Sequence, residues 1–219
     1  MSIVLIGEIG VNHNGHLDWA LDLCDQAKEA GCNVAKFQMR TPELATPEHM
    51  KNQPRQWEGE TITYLEYRKK VEFGKKEYDA IATHCKSIGL GFTASVWDEP
   101  SVTFISQYDV PFVKIPSAKL TDHSLIRKAQ SLGLPLVVST AMSTEDEIDD
   151  AVPLVERFTA ASLLHCNSSY PAKDEELCLS YIPVLRDRYE FPVGYSSHSV
   201  SPWPCVTAVA LGAKSVEAH

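Results

Sequence analysis

The 219-residue chain carries a formal net charge of −9 and is 44% hydrophobic and 22% charged. That length suits one sizeable core in a single domain spanning 1–219, and the acidic balance argues against a nucleic-acid partner, so an anionic ligand would need a local basic pocket. No run of about 18 apolar residues marks a membrane span, and the opening MSIVLIGEIG lacks the basic flank and cleavage site of a signal peptide. The six cysteines show no C-x-x-C spacing; they are expected as buried free thiols in a reducing compartment, which points to a cytoplasmic protein.

In chain order, strands are expected near 3–9, 34–39, 91–95, 112–117, 135–140, 161–166, 192–197 and 215–219. Helices are expected between them, near 17–30, 76–88, 99–107, 122–132, 144–156, 175–188 and 202–211. The phrases KEAGCNVAKFQ, KSIGLGFTAS, QSLGLPLVVS and ALGAKSVEAH share one form. Each is a helix end, a glycine that tolerates the left-handed stop, and an apolar strand. Ser143-Thr144-Glu145-Asp146 resembles a capping box, Ser201-Pro202 sets a cap before a first-turn proline, and Asp98 is placed to cap the third helix. Continuous apolar strands fit parallel strands covered on both faces, and eight of them alternating with helices predict a (β/α)8 TIM barrel. Residues 41–75 form a long second connection, read as a lid or binding loop. No helix is expected after the eighth strand.

Polar residues gather where these strands end, which is where barrels of this type place their chemistry. They are Glu8 with the following GVNHNG, then Lys36 and Gln38, Thr93 and Ser95, Lys114 and Ser117, and Ser139 and Thr140. HCNSSYP, Ser196-Ser197-His198 and Glu217-Ala218-His219 complete the set. Two lysines inside strands are costly unless each meets an anion, and short hydroxyls beside them suit phosphate or carboxylate oxygens. Alternatively each lysine is an ion-paired interior residue and Glu8 is such a partner. His198 and His219, on neighbouring strand ends, are a candidate ligand pair for one divalent metal, open to water and a substrate oxygen as a Lewis-acid site requires. Glu217 points to the same side as His219 because strand side chains alternate. The NHNG segment reads as a turn. His13, His16, His84, His123 and His165 have no matching constellation and read as structural.

The ordered set GEIGVNHNG, AKFQ, TYLEYRKKVEFG, FTASVWDEPS, VKIPSAKLTD, VVSTAMST, LLHCNSSYP and VGYSSHS…AVALGAKSVEAH resembles the sialic acid synthase family over nearly the whole chain. That family comprises N-acetylneuraminate synthase and its legionaminic and pseudaminic acid relatives. The resemblance implies a (β/α)8 barrel followed by a small antifreeze-like domain, which this chain does not reach. It implies condensation of phosphoenolpyruvate with an N-acetylated hexosamine such as N-acetylmannosamine, with release of phosphate. A divalent metal is implied too, Mn2+ foremost and Mg2+ or Co2+ as alternatives, and a homodimer where the full architecture is present.

By the same resemblance Glu8 works near the sugar and the attacking water, and Lys36 and Lys114 hold phosphoenolpyruvate. Gln38, Thr93, Ser117, Ser139 and Ser196 surround the substrates. Ser168 falls where some members have asparagine, and Tyr170 lies beside the sugar. Glu217 is a sugar-binding carboxylate, and His198 and His219 are metal ligands. Two departures stand out: Ala218 replaces a lysine, and Lys119 replaces a glutamate that helps some members bind the sugar. The other readings are a different phosphoenolpyruvate-condensing sugar-acid synthase and a barrel without catalysis.

Overall fold

The computed structural model describes residues 3–155 and 161–219. Eight parallel strands close into a barrel. They are β1 (Val4–Gly10), β2 (Val34–Met39), β5 (Gly91–Val96), β6 (Val113–Ile115), β7 (Leu136–Ser139), β8 (Ser162–Cys166), β9 (Val193–Ser196) and β10 (Ser215–Ala218). The barrel follows chain order, and β1 pairs with β10 to complete it, Leu5 opposite Val216 and Ile6 opposite Glu217. The fold is thus the expected (β/α)8 barrel.

Helices α1 (Leu17–Glu29), α5 (Lys75–Ile88), α6 (Glu99–Ile105), α7 (His123–Gln130), α8 (Glu145–Val155), α9 (Tyr181–Tyr189) and α10 (Trp203–Ala210) separate these strands. Residue 156, expected as the end of α8, lies outside the described residues. Asp98 caps α6 as its sequence predicts, accepting from Ser101 N at 2.9 Å. The helix expected over 175–188 is shorter. A 3-10 turn at Asp174–Glu176 stops before Cys178, whose φ of +46° breaks the helical path, and α9 starts only at Tyr181.

The second connection is folded rather than a bare loop. It contains α2 (Pro42–Ala45), α3 (Glu48–Lys51), the antiparallel hairpin β3 (Pro54–Trp57) with β4 (Glu60–Thr63), and α4 (Tyr64–Val71). Glu58 and Gly59 make the hairpin turn, both left-handed at φ +49° and +88°, the geometry that a two-residue turn needs to match strand twist. Thr63 and Glu66 close a full capping box at the start of α4. Asp98 also accepts from Thr41 N at 2.6 Å and Thr41 Oγ1 at 3.2 Å, tying the start of this excursion to the barrel rim.

Period-two alternation sorts the barrel interior into layers. The lower layer is a small apolar cluster of Ile6, Val34, Phe112, Val137 and Leu164. Two residues further along each strand the inward side chain is Glu8, Lys36, Lys114, Ser139 and Cys166. The chain therefore changes from apolar filling to polar lining within one pleat. Gly194 belongs to the lower layer, where a Cβ would lie 2.1 Å from Ser215 Oγ and 2.6 Å from Leu164 Cδ2, so only glycine lets β9 pack there. The main core lies between barrel and helices and includes Phe37, Tyr78, Ile81, Ile105, Ile126 and Leu185.

Candidate active site

The upper layer opens into a cavity of about 460 Å³ at the C-terminal ends of the strands. Its wall includes Glu8, Lys36, Gln38, Lys114, Ser117, Ser139, Ser168, Tyr170, Ser196, His198, Glu217 and His219, so twelve of the thirteen residues selected from the sequence converge there. Thr93 is the exception and does not line this cavity. It sits one pleat too low, fully buried, and its hydroxyl donates to Phe112 O at 2.5 Å. Ser95, two residues later and in register with Lys114, lines the cavity in its place. Strand parity selects Ser95 as readily as Thr93; what separates them is depth, which the sequence does not mark.

Lys36, Lys114 and Glu217 are buried at the cavity floor, with the partly buried Glu8 beside them. Lys36 Nζ is ion-paired with Glu8 Oε2, donates to Ser95 Oγ at 3.0 Å and lies 3.7 Å from Glu217 Oε2. Burial alone would lower its pKa, but Glu217 and Glu8 together outweigh it and hold Lys36 above the ordinary lysine value. Lys114 is equally buried, yet its nearest carboxylate oxygen is Glu217 Oε1 at 3.9 Å, and no side chain among the described residues hydrogen-bonds its ammonium. Burial pushes Lys114 down, Glu217 offsets this only partly, and Lys36 adds repulsion. Glu217 accepts from Ser196 Oγ at 2.8 Å. Burial raises its pKa, but Lys114 and Lys36 overcome this and keep it below the usual carboxylate value, so it is ionised at neutral pH.

Around Lys114 the wall is built of small donors. Ser117 Oγ accepts from Ala141 N at 3.1 Å and lies 3.2 Å from Cys166 Sγ, which fixes the loop after β6 against the ends of β7 and β8. Ser139 is buried on the same wall. A buried ammonium at 3.9 Å from its nearest carboxylate, in a cavity also lined by hydroxyls, has the chemistry to meet a compact anion.

The two imidazoles stand at the rim, His198 after β9 and His219 after β10. The ring of Tyr170 meets both edge-to-face, with centroids 5.1 Å from His198 and 5.4 Å from His219. His198 Nδ1 is buried without a hydrogen-bond partner. Burial keeps His219 below the ordinary histidine value, hence neutral near pH 7 with a lone pair to offer. Among the described residues no group of three or more His, Cys, Asp or Glu side chains is arranged to hold a metal. A divalent cation here would have two imidazole ligands and open positions, which these residues fit and a closed structural site would not.

A closed parallel barrel with charged side chains gathered at its C-terminal mouth defines the class as a (β/α)8 barrel. The chain belongs to the NeuB family, whose model matches residues 23–219. It is 37% identical to the N-acetylneuraminate-9-phosphate synthase of Drosophila melanogaster over all of this chain and 60% of that protein. Similarity to the N,N'-diacetyllegionaminic acid synthase of Legionella pneumophila is 33% identity over all of this chain and 64% of that protein. The crystal structure of the N-acetylneuraminic acid synthetase of Leptospira borgpetersenii, in complex with citrate, superposes with a TM-score of 0.90 at 32% identity, covering 99% of this chain and 72% of that one. The chain spans roughly three-fifths of the length of the curated relatives it matches. Among the described residues no helix is long and apolar enough to cross a membrane.

Proposed function

We propose that this barrel condenses phosphoenolpyruvate with an N-acetylated hexosamine and releases phosphate, forming a nonulosonic acid. The observation that carries the reading is Lys114, a buried ammonium whose only carboxylate contact is Glu217 Oε1 at 3.9 Å and which lines the cavity with Ser117 and Ser139. Phosphoenolpyruvate carries two anionic groups on a three-carbon frame. The two lysines and the ring of hydroxyls supply donors for both, and family membership supports the same substrate class.

In this reading Lys36, Lys114 and the hydroxyls orient the enol so that C3 faces the aldehyde carbon of the open-chain sugar. A C–C bond forms between those two carbons as the enol π electrons move, and the aldehyde oxygen takes a proton. Water adds at C2, and phosphate then leaves with cleavage of the C2–O bond, giving the 2-keto acid. Glu8, paired with Lys36, is placed to accept the proton of that water. Glu217 and Gln38 border the sugar half of the cavity with Tyr170 and Ser168. His198 and His219 would hold the divalent cation, Mn2+ in the first instance, which when bound supplies Lewis-acid polarisation of an aldehyde oxygen.

The name of the Drosophila relative brings a phosphorylated sugar into the candidate set. Adding three carbons turns C6 of a hexosamine into C9 of the product, so a 9-phosphate product derives from a 6-phosphorylated sugar. The test incubates folded protein with phosphoenolpyruvate, Mn2+ and a panel of free and 6-phosphorylated N-acetylhexosamines, following phosphate release and product mass. Turnover with at least one acetamido sugar is expected. Turnover only with a non-aminated phosphorylated aldose would favour a different sugar-acid synthase, and no turnover with any sugar would sink the reading.

A further inference from the structure

Arg40 follows β2 and Glu72 follows α4, so the two residues stand at the foot of the excursion, one on each side of it. Their side chains are buried against each other, with Arg40 Nε donating to Glu72 Oε1. The pair is single-pronged: Arg40 Nη2 and Glu72 Oε2 are buried without hydrogen-bond partners. On its other side the Arg40 guanidinium lies 5.4 Å from the centroid of the Trp97 ring. Trp97 N donates to Met39 O at 3.2 Å, which keeps the indole beside Arg40 where β2 and β5 end. Trp97 also lines the cavity, together with Gln38 and Ser95 from the same two strands. One guanidinium thus lies between the excursion and a wall of the cavity.

The inner end of the excursion is tightly seated. Phe73 stacks on the buried His13 at 3.9 Å. A Cβ at Gly15 would lie 2.2 Å from Lys70 O, so only glycine lets the end of α4 rest on the NHNG segment. With the backbone around Glu72 held in this way, the property left to vary there is its charge. The other charged or titratable groups facing the pair are Arg68 and Tyr64 from α4, Tyr78 from α5 and His13 from the β1–α1 loop. Burial pushes Glu72 up to about 7 against the attraction of Arg40 and Arg68, and pushes His13 down to about 4. Above neutrality the buried guanidinium shares its charge between a carboxylate and the indole. Once Glu72 takes a proton, the indole face is its remaining electrostatic partner at that place. A pair joined through a single nitrogen can make that exchange by a small rotation.

We propose that Glu72 is a positioning residue for the cavity wall: acting through Arg40, it sets the placement of Trp97, so that the state of the excursion's inner end is registered in the barrel mouth. The inference holds whichever ligand the cavity takes.

The test incorporates 5-fluorotryptophan into the whole chain and assigns the Trp97 fluorine resonance by its loss in Trp97→Phe. Between about pH 6 and about pH 8.5 that resonance is expected to titrate with a midpoint of about 7 in the wild type and to stay flat in Glu72→Gln, the shape of the protonated side chain. It is also expected to stay flat in Arg40→Met. A wild-type Trp97 resonance that does not move over this range, or one that titrates equally in Glu72→Gln, overturns the proposal. A wild-type titration that persists in folded Arg40→Met overturns the relay through Arg40. Thermal unfolding of each variant establishes that the samples compared are folded, and the wild type against Glu72→Gln decides the matter even where Arg40→Met does not fold.

Discussion

Lys36 and Lys114 occupy one layer of the barrel and are equally buried, yet they do different work. Lys36 neutralises Glu8 and leans on Glu217, whereas Lys114 has only a carboxylate oxygen at 3.9 Å. Removing one partner of a buried pair leaves the other charge uncompensated, so Lys36→Met is expected to cost about 3–5 kcal/mol in urea unfolding. Lys114→Met removes a more distant partner of the buried Glu217 and is expected to cost less stability than Lys36→Met, while abolishing the thermal protection expected from phosphoenolpyruvate in the wild type. Equal destabilisation by the two variants would contradict this division.

His13 offers a second residue-scale test. Burial pushes its pKa down to about 4, so it is neutral in the folded protein. The stability this represents is complete above about pH 6.5 and is lost as pH falls toward 4, at about 1.4 kcal/mol per unit. Glu72 opposes it. Burial raises that carboxyl to about 7 despite its pairing with Arg40, so its contribution is complete below about pH 4.5 and lost as pH rises to 7. His13→Phe keeps an aromatic face against Phe73 and removes only the first slope. Between about pH 7 and pH 4.5 the wild type is expected to lose about 2–3 kcal/mol relative to the variant in urea titrations.

At the scale of elements, the sequence displays the barrel because four of its units repeat the same punctuation: helix end, glycine, apolar strand. The excursion between β2 and α5 was harder to read because its elements are short and its signals local. Pro42 after Thr41, the Glu58-Gly59 turn and the Thr63–Glu66 box are all present, yet they interrupt no apolar period. The start of α9 was misplaced for a related reason: acidic residues at Asp174–Glu176 look like a first helical turn, and nothing local announces the left-handed Cys178. The site was legible as far as parity carries it, which explains Lys36, Lys114 and Glu217; it failed at Thr93 because parity is blind to depth.

Asp98 connects the excursion to the barrel, receiving the amides of both Ser101 and Thr41. Asp98→Ala is expected to lower stability by about 2 kcal/mol. Limited proteolysis should then cut within 41–74 faster than in the wild type; an unchanged cleavage rate would show that other contacts hold the excursion.

For the whole molecule, the outer surface is uneven. Trp203 and Val206 on α10 are 71% and 56% exposed, and Val200 just before it is 90% exposed. A second cavity of about 330 Å³ runs over β1 and β10 against α1, lined by Leu5, Ile9, Leu23, Ala27 and Val216. Exposed apolar side chains such as those on α10 promote association. Light scattering is expected to show a concentration-dependent rise in mass that Trp203→Lys with Val206→Lys suppresses; a strictly monomeric wild type at high concentration would count against it.

The pairing of β1 with β10 carries one more consequence. Glu8 and Asn12 arise at the beginning of the chain and Glu217 and His219 at its end, with Asn12 and His219 separated by 207 positions. A partly unfolded chain therefore contains every cavity-lining residue and no cavity. Contacts of such long range are costly in loop entropy and form late. Occupancy of the cavity thus reports on the whole ring at once: any molecule that bridges the groups on either side of this seam acts as a rivet, and hydrogen exchange in β1 and β10 should slow together when it binds.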